Sequence, residues 1–158
     1  MREIIYYSEQ EKSGISDDTL TVYIPSVYTK EELLDWYAKL LSFPSYFGRN
    51  WDALIDLLRI LDWLEQKNIR IIHQSVTALP ENVLADYMSI VYIICTFWRL
   101  YPSEHQLFFL FDINEKEKLE KVFWEEAHKV EELWQSRKDR GENDGAFLSE
   151  LRMLSQKE

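Results

Sequence analysis

The sequence predicts an α/β fold: a small three-stranded parallel sheet flanked by helices, with a helical extension at its C-terminal end. Short runs rich in β-branched and aromatic residues, at 20–25, 69–73 and 107–111, alternate with longer segments of helical spacing. Such alternation calls for right-handed crossovers between parallel strands. The run Leu-Phe-Phe-Leu-Phe at 107–111 is apolar on both faces, as a strand covered on both sides must be.

In chain order, the strand at 20–25, Leu-Thr-Val-Tyr-Ile-Pro, follows the turn-like Ser16-Asp17-Asp18 and is closed by Pro25. Residues 3–7 read as a further strand pairing with it, within an N-terminal extension at 1–19, and Glu9 to Ser13 as loop. Thr29 and Glu32 have the spacing of a capping box, each side chain serving the other's backbone N–H. Leu33, Trp36, Tyr37, Leu40 and Leu41 follow at helical spacing, which predicts a helix from about residue 30 to 42. Residues 43–49 hold Pro44 and Gly48 and form a connector. Asn50 is placed to cap a second helix with the inward stripe Leu54, Leu57, Leu58 and Leu61, expected to end near Gln66.

After the strand at 69–73, Pro80 marks the first turn of a long helix to about Tyr101, apolar nearly all round in its second half and therefore buried. The strand at 107–111 completes the main domain, residues 20–112. Residues 113–158 form the extension, opening with a charged helix from about Glu115 to Arg137 with a stripe of Leu119, Val122, Phe123, Ala127, Val130 and Trp134. That stripe must cover itself on the core or on a second copy, because an isolated helix is marginal in water. A linker at 140–145 and a short helix through Phe147, Leu148, Leu151 and Leu154 follow.

The chain has 158 residues, 46% of them hydrophobic and 15% aromatic, which suffices for one core and excludes a disordered chain. Cys95 is the single cysteine and cannot form an internal disulfide, and the first residues lack the apolar stretch of a signal peptide. A cytoplasmic location is expected. The most apolar run, Ile90 to Trp98, falls short of the roughly 20 residues that span a bilayer, so no membrane partner is expected. Net charge is −10, and residues 1–112 hold 16 acidic against 9 basic residues. An acidic domain is repelled by the phosphates of nucleic acid and attracted to basic proteins, so direct nucleic-acid binding is not expected.

The functional signal is concentrated at 43–58. Projection of the second helix puts Asp52, Ile55, Asp56, Arg59 and Trp63 opposite the leucine stripe. Asp52 and Asp56 are i and i+4, and like charges at that spacing cost a helix a few tenths of a kcal/mol, so folding does not ask for them. Two solvated aspartates alone would be unremarkable. Tyr46, Phe47, Trp51 and Ile55 put bulky side chains beside them, and aromatic anchors around charges are how interface hot spots are built.

The pattern Pro44, Tyr46, Gly48, Asn50, Asp52, Ala53, Leu54 and Asp56, with the aromatic Phe47, resembles the inhibitory segment of the barstar family. The resemblance implies a barstar-like fold over about residues 20–112 and leaves the C-terminal extension uncovered. In that family the loop before the second helix and the helix itself enter the active-site cleft of a guanyl-type ribonuclease, where helix carboxylates replace substrate phosphate. Carried over, it makes Tyr46, Phe47, Gly48, Asn50, Trp51, Asp52, Ile55 and Asp56 partner-binding residues. Asp56 is then the main phosphate mimic, Asp52 its electrostatic partner, and Tyr46, Gly48 and Asn50 the loop contacts. The implied partner is a basic ribonuclease, barnase-like or another toxin nuclease. Ile55 stands where the family has tryptophan, Trp51 where it has leucine, and Arg49 adds a cation to the loop. The glutamate that the family contributes from its last helix has no counterpart near Thr96 to Arg99.

Enzymatic readings have little to rest on. His73, His105 and His128 are widely spaced and expected at the surface or at strand ends, and no Cys-x-x-Cys, His-x-x-x-His or Gly-x-Gly-x-x-Gly motif is present. No metal or cofactor is expected, and Asp52 and Asp56 lack a third ligand or a nearby histidine. The competing reading is a barstar-like interaction module that does not inhibit a ribonuclease, with self-association through the C-terminal helix.

Overall fold

The computed structural model describes residues 1–9, 12–100 and 105–141. Its elements are β1 (Ile4–Tyr7), β2 (Gly14–Ser16), β3 (Thr19–Ile24), α1 (Lys30–Leu40), α2 (Trp51–Leu58), β4 (Asn68–His73), α3 (Glu81–Leu100), β5 (Gln106–Asp112) and α4 (Lys116–Asp139), the last entered through a 3-10 turn at Ile113–Glu115. They build a five-stranded sheet in the order β1-β5-β4-β3-β2. The three expected strands, β3, β4 and β5, are its parallel centre, with Val22 beside Ile71 and Ile71 beside Phe109.

Two edge strands extend the three-stranded expectation. Asp17 adopts a left-handed φ of 52° and folds β2 back antiparallel onto β3. With that edge of β3 occupied, β1 pairs parallel with β5, Ile4 beside Phe109, rather than with β3 as the sequence reading had it. A bidentate contact ties β1 to the end of α3: Arg99 Nε and Nη2 lie 2.9 and 2.7 Å from the Glu3 carboxylate.

Local chemistry sets the helix starts. Glu32 N–H donates to Thr29 Oγ1 at 3.1 Å, while the Glu32 carboxylate receives the Thr29 hydroxyl rather than its backbone N–H. α1 packs on β3, α3 on β5, and α2 and α4 on α3. α3 is long and apolar enough to cross a bilayer, but in this fold Val83, Tyr87, Val91 and Ile94 are core residues. The α4 stripe covers itself within the chain: Leu119, Phe123, Ala127 and Val130 are buried, and Val122 and Trp134 pack beside them. The Glu115 carboxylate fastens the start of α4 to the loop after β4 by accepting from Ser75 Oγ, Val76 N–H and Thr77 Oγ1. The expected linker beyond Arg140 and short helix from Phe147 to Leu154 lie outside the described residues, apart from Arg140 and Gly141.

Candidate functional site: the loop before α2 and its outer face

The chain leaves α1 through Ser42, at φ 52°, and enters α2 through Arg49, at φ 51°. Two side chains in a conformation that favours glycine mark a loop held by its surroundings. Phe47 N–H donates to Pro44 O at 3.0 Å, Asn50 Nδ2 donates to Gly48 O at 3.3 Å, and Asn50 Oδ1 caps the helix by accepting from Ala53 N–H at 2.8 Å. Gly48 sits close under the cap: a Cβ there would stand 3.2 Å from Asn50 Nδ2, which would have to give by a few tenths of an ångström, and 3.8 Å from Ala53 Cβ, an ordinary contact. Below, Phe43 meets Phe47 edge to face at 4.9 Å and Trp63 at 5.9 Å, and Trp63 Nε1 donates to Leu41 O at 2.7 Å. Arg49 pairs across the loop with Asp35 of α1, both side chains more than half exposed. The loop therefore has a built shape before any partner arrives.

The structure brings six of the eight expected residues to or near the surface. Tyr46 is 75% exposed, Gly48 and Asn50 are exposed, and Phe47, Asp52 and Asp56 are partly buried. Trp51 and Ile55 do not join them: at 1% and 2% exposure they belong to the core. Projection had put Ile55 opposite the leucine stripe, and Trp51 was expected at the interface through the family resemblance, although as i, i+3 and i+7 Trp51, Leu54 and Leu58 share one face. α2 is wedged so that its buried arc takes in Trp51, Leu54, Ile55, Leu57 and Leu58, more than half of its residues. The Trp51 ring stacks against Tyr87 of α3 at 6.4 Å and lies under the Lys30 ammonium of α1 at 5.0 Å.

The second correction concerns the end of the helix. Instead of reaching Gln66, α2 stops at Leu58, and Leu61 takes φ 49° with its side chain wholly buried. Trp63 consequently lies off the helix, against Phe43. The remaining outward strip is Asp52, Asp56, Arg59 and Ile60. Arg59 Nη2 donates to Asp56 Oδ1 at 2.9 Å while its guanidinium lies 5.6 Å from the Phe97 ring centroid. Ile60, 48% exposed and four residues beyond Asp56, was not among the expected contacts, although the i, i+4 spacing from Asp56 was a signal that could have found it. The face is thus a line of carboxylates between an aromatic, Tyr46, and an aliphatic, Ile60, with a cation at either end of the segment.

His73 and His105 lie at strand ends as expected but are buried, at 1% and 6% exposure. Burial pushes the Cys95 thiol up to about 12, so it is no nucleophile. Among the described residues no three His, Cys, Asp or Glu side chains gather to hold a cation.

The family model described as Barstar (barnase inhibitor) matches residues 18–110, from the turn before β3 to the middle of β5. The chain belongs to the barstar family. The match spans the sheet centre, the loop and α2, while β1, β2 and α4 lie outside it or at its margin. No curated protein and no solved structure shows a significant match to the chain.

Proposed function

We propose that this barstar-family chain is an intracellular inhibitor of a basic ribonuclease, blocking the active site with the loop before α2 and the outer face of that helix. The observation that carries the reading is the prefolded segment from Tyr46 to Asp56, whose Asn50 cap and Gly48 turn aim the Asp52 and Asp56 side of α2 away from the core. Asp56 serves as the phosphate mimic, already oriented by Arg59, and Asp52 adds to the field that draws in a cationic cleft. A rigid segment loses little conformational freedom on docking, which favours tight binding. The chain acts on a protein and performs no chemistry of its own. A reduced compartment suits it, since Cys95 is free and buried.

The test is RNA cleavage by barnase, with and without the chain. Inhibition at stoichiometric amounts supports the reading. Asp56→Ala is expected to weaken it by about 2–5 kcal/mol, the usual cost of truncating one side of a buried charge pair and a range to which barnase–barstar complexes themselves contribute. Because Asp56 also pairs with Arg59 at a half-exposed position, folding stability falls by no more than about 1 kcal/mol. Undiminished inhibition by Asp56→Ala would sink the phosphate-mimic mechanism. One observation favours the second reading, a non-inhibitory interaction module: Arg49, 62% exposed, puts a cation inside the loop that must meet the cleft. Binding to barnase without loss of RNA cleavage would select it.

A further inference from the structure

Beneath the binding segment lies a buried polar chain that the proposed contacts do not use. Tyr87, in α3, has its Oη 2.5 Å from His73 Nε2 and 2.5 Å from Tyr37 Oη. His73 Nδ1 lies 2.9 Å from Leu110 O, an atom that only accepts. The direction of every bond follows. His73 donates through Nδ1 to Leu110 and accepts at Nε2 from Tyr87, and Tyr87, its proton so used, accepts from Tyr37. The chain runs from the sheet, through α3, to α1, with each wholly buried polar group satisfied.

Both ends of the loop hang on this chain. Trp51, the first residue of α2, stacks on the Tyr87 ring with planes 22° apart. Tyr37 meets Tyr87 edge-on at 6.2 Å and stacks on Phe43 at 6.3 Å, and Phe43 in turn holds Phe47. We propose that Tyr87 is a positioning residue, which sets the conformation of the segment from Phe43 to Trp51 by gripping both of its ends from below. The partner that this segment serves rests on the ribonuclease reading; the grip itself does not. Packing alone would be met by phenylalanine. The hydroxyl adds a fixed orientation, because the ring must satisfy His73 and Tyr37 at once.

Amide hydrogen exchange on the full chain tests this with Tyr87→Phe, alongside Ile71→Val as a core control in β4. The reporters are the Phe47 and Ala53 amides, bonded within the loop and its cap, and the Phe109 amide, bonded to Glu3 O in the sheet. Tyr87→Phe is expected to speed exchange at Phe47 and Ala53 about tenfold and to leave Phe109 within about twofold, whereas Ile71→Val produces no loop-selective change. Affinity for barnase is expected to fall by a similar factor of about ten in Tyr87→Phe alone. An equal rise at all three amides, or none, overturns the proposal and makes Tyr87 an ordinary core residue. If Tyr87→Phe does not fold, Tyr37→Phe removes only the terminal hydroxyl and carries the same prediction. If the parent does not bind barnase, barnase is excluded as the partner, while loop-selective exchange still decides the role of Tyr87.

Discussion

A buried imidazole that accepts at Nε2 must stay neutral, and His73 shows the consequence. Burial holds its pKa down to about 4, against an ordinary 6.5, with the bond to Leu110 O opposing only part of the shift. Above pH 6.5 neither the folded nor the unfolded chain protonates this residue, and its full contribution to stability is present. As pH falls toward 4 the unfolded chain takes up the proton and the folded one does not, so stability is lost through that window. A shift of this size corresponds to about 3 kcal/mol. Thermal melting followed from pH 7 to pH 5, where carboxylates stay largely ionised, is expected to show a falling Tm in the parent. His73→Gln, less stable at pH 7, is expected to show a flatter profile; an identical slope in both would mean that His73 does not titrate between the two states.

At the scale of elements, α4 lies beyond the family match yet belongs to the same core. Phe123 is 2% exposed and meets Tyr92 of α3 edge-on at 5.8 Å. Phe123→Ala is therefore expected to cost about 3–5 kcal/mol in denaturant unfolding, and a loss under about 1 kcal/mol would show α4 to be a detachable appendage. Periodicity revealed this helix because Leu119, Phe123, Ala127 and Val130 repeat at helical spacing, and the central strands were legible because β3 and β4 are short runs rich in β-branched residues and β5 carries a continuous apolar run. Three features were hidden for physical reasons. α2 ends at Leu58, and Leu61, three residues on, takes a left-handed conformation with its side chain wholly buried, without the glycine that would announce a stop. Ile55 is claimed by tertiary neighbours on the flank of the leucine stripe, which one helix's pattern cannot reveal, whereas the burial of Trp51 was legible in its spacing with Leu54 and Leu58 and was overridden by the family resemblance. β1 was legible as a strand but not in its pairing, because the choice of edge depends on β2 having already covered β3. The candidate site was read through its motif, in which Gly48, Asn50 and Asp56 make local bonds, while the His73, Tyr87 and Tyr37 chain joins residues too distant in sequence for any spacing to suggest.

For the whole molecule, the distribution of charge decides how a partner is met. The chain carries −10 overall, but two of its cations stand on the candidate face, Arg49 paired with Asp35 and Arg59 paired with Asp56. Long-range attraction depends on the summed field, so these arginines subtract from steering even while their partners remain ionised. Replacing Arg59 by glutamine removes one positive charge beside Asp56 and leaves the buried arc of α2 untouched. Association of Arg59→Gln with barnase is expected to be about two- to fivefold faster than the parent at low ionic strength, because a charge at the rim of an interface acts mainly on the on-rate. The difference is expected to close near 1 M salt, where screening confines charges to about 3 Å. Stopped-flow rates across a salt series measure both statements. An Arg59→Gln rate below the parent's at every salt concentration would mean that Arg59 touches the partner, or that its hold on Asp56 matters more than its charge, and the face would then have to be read as a mixed-charge surface rather than an acidic one.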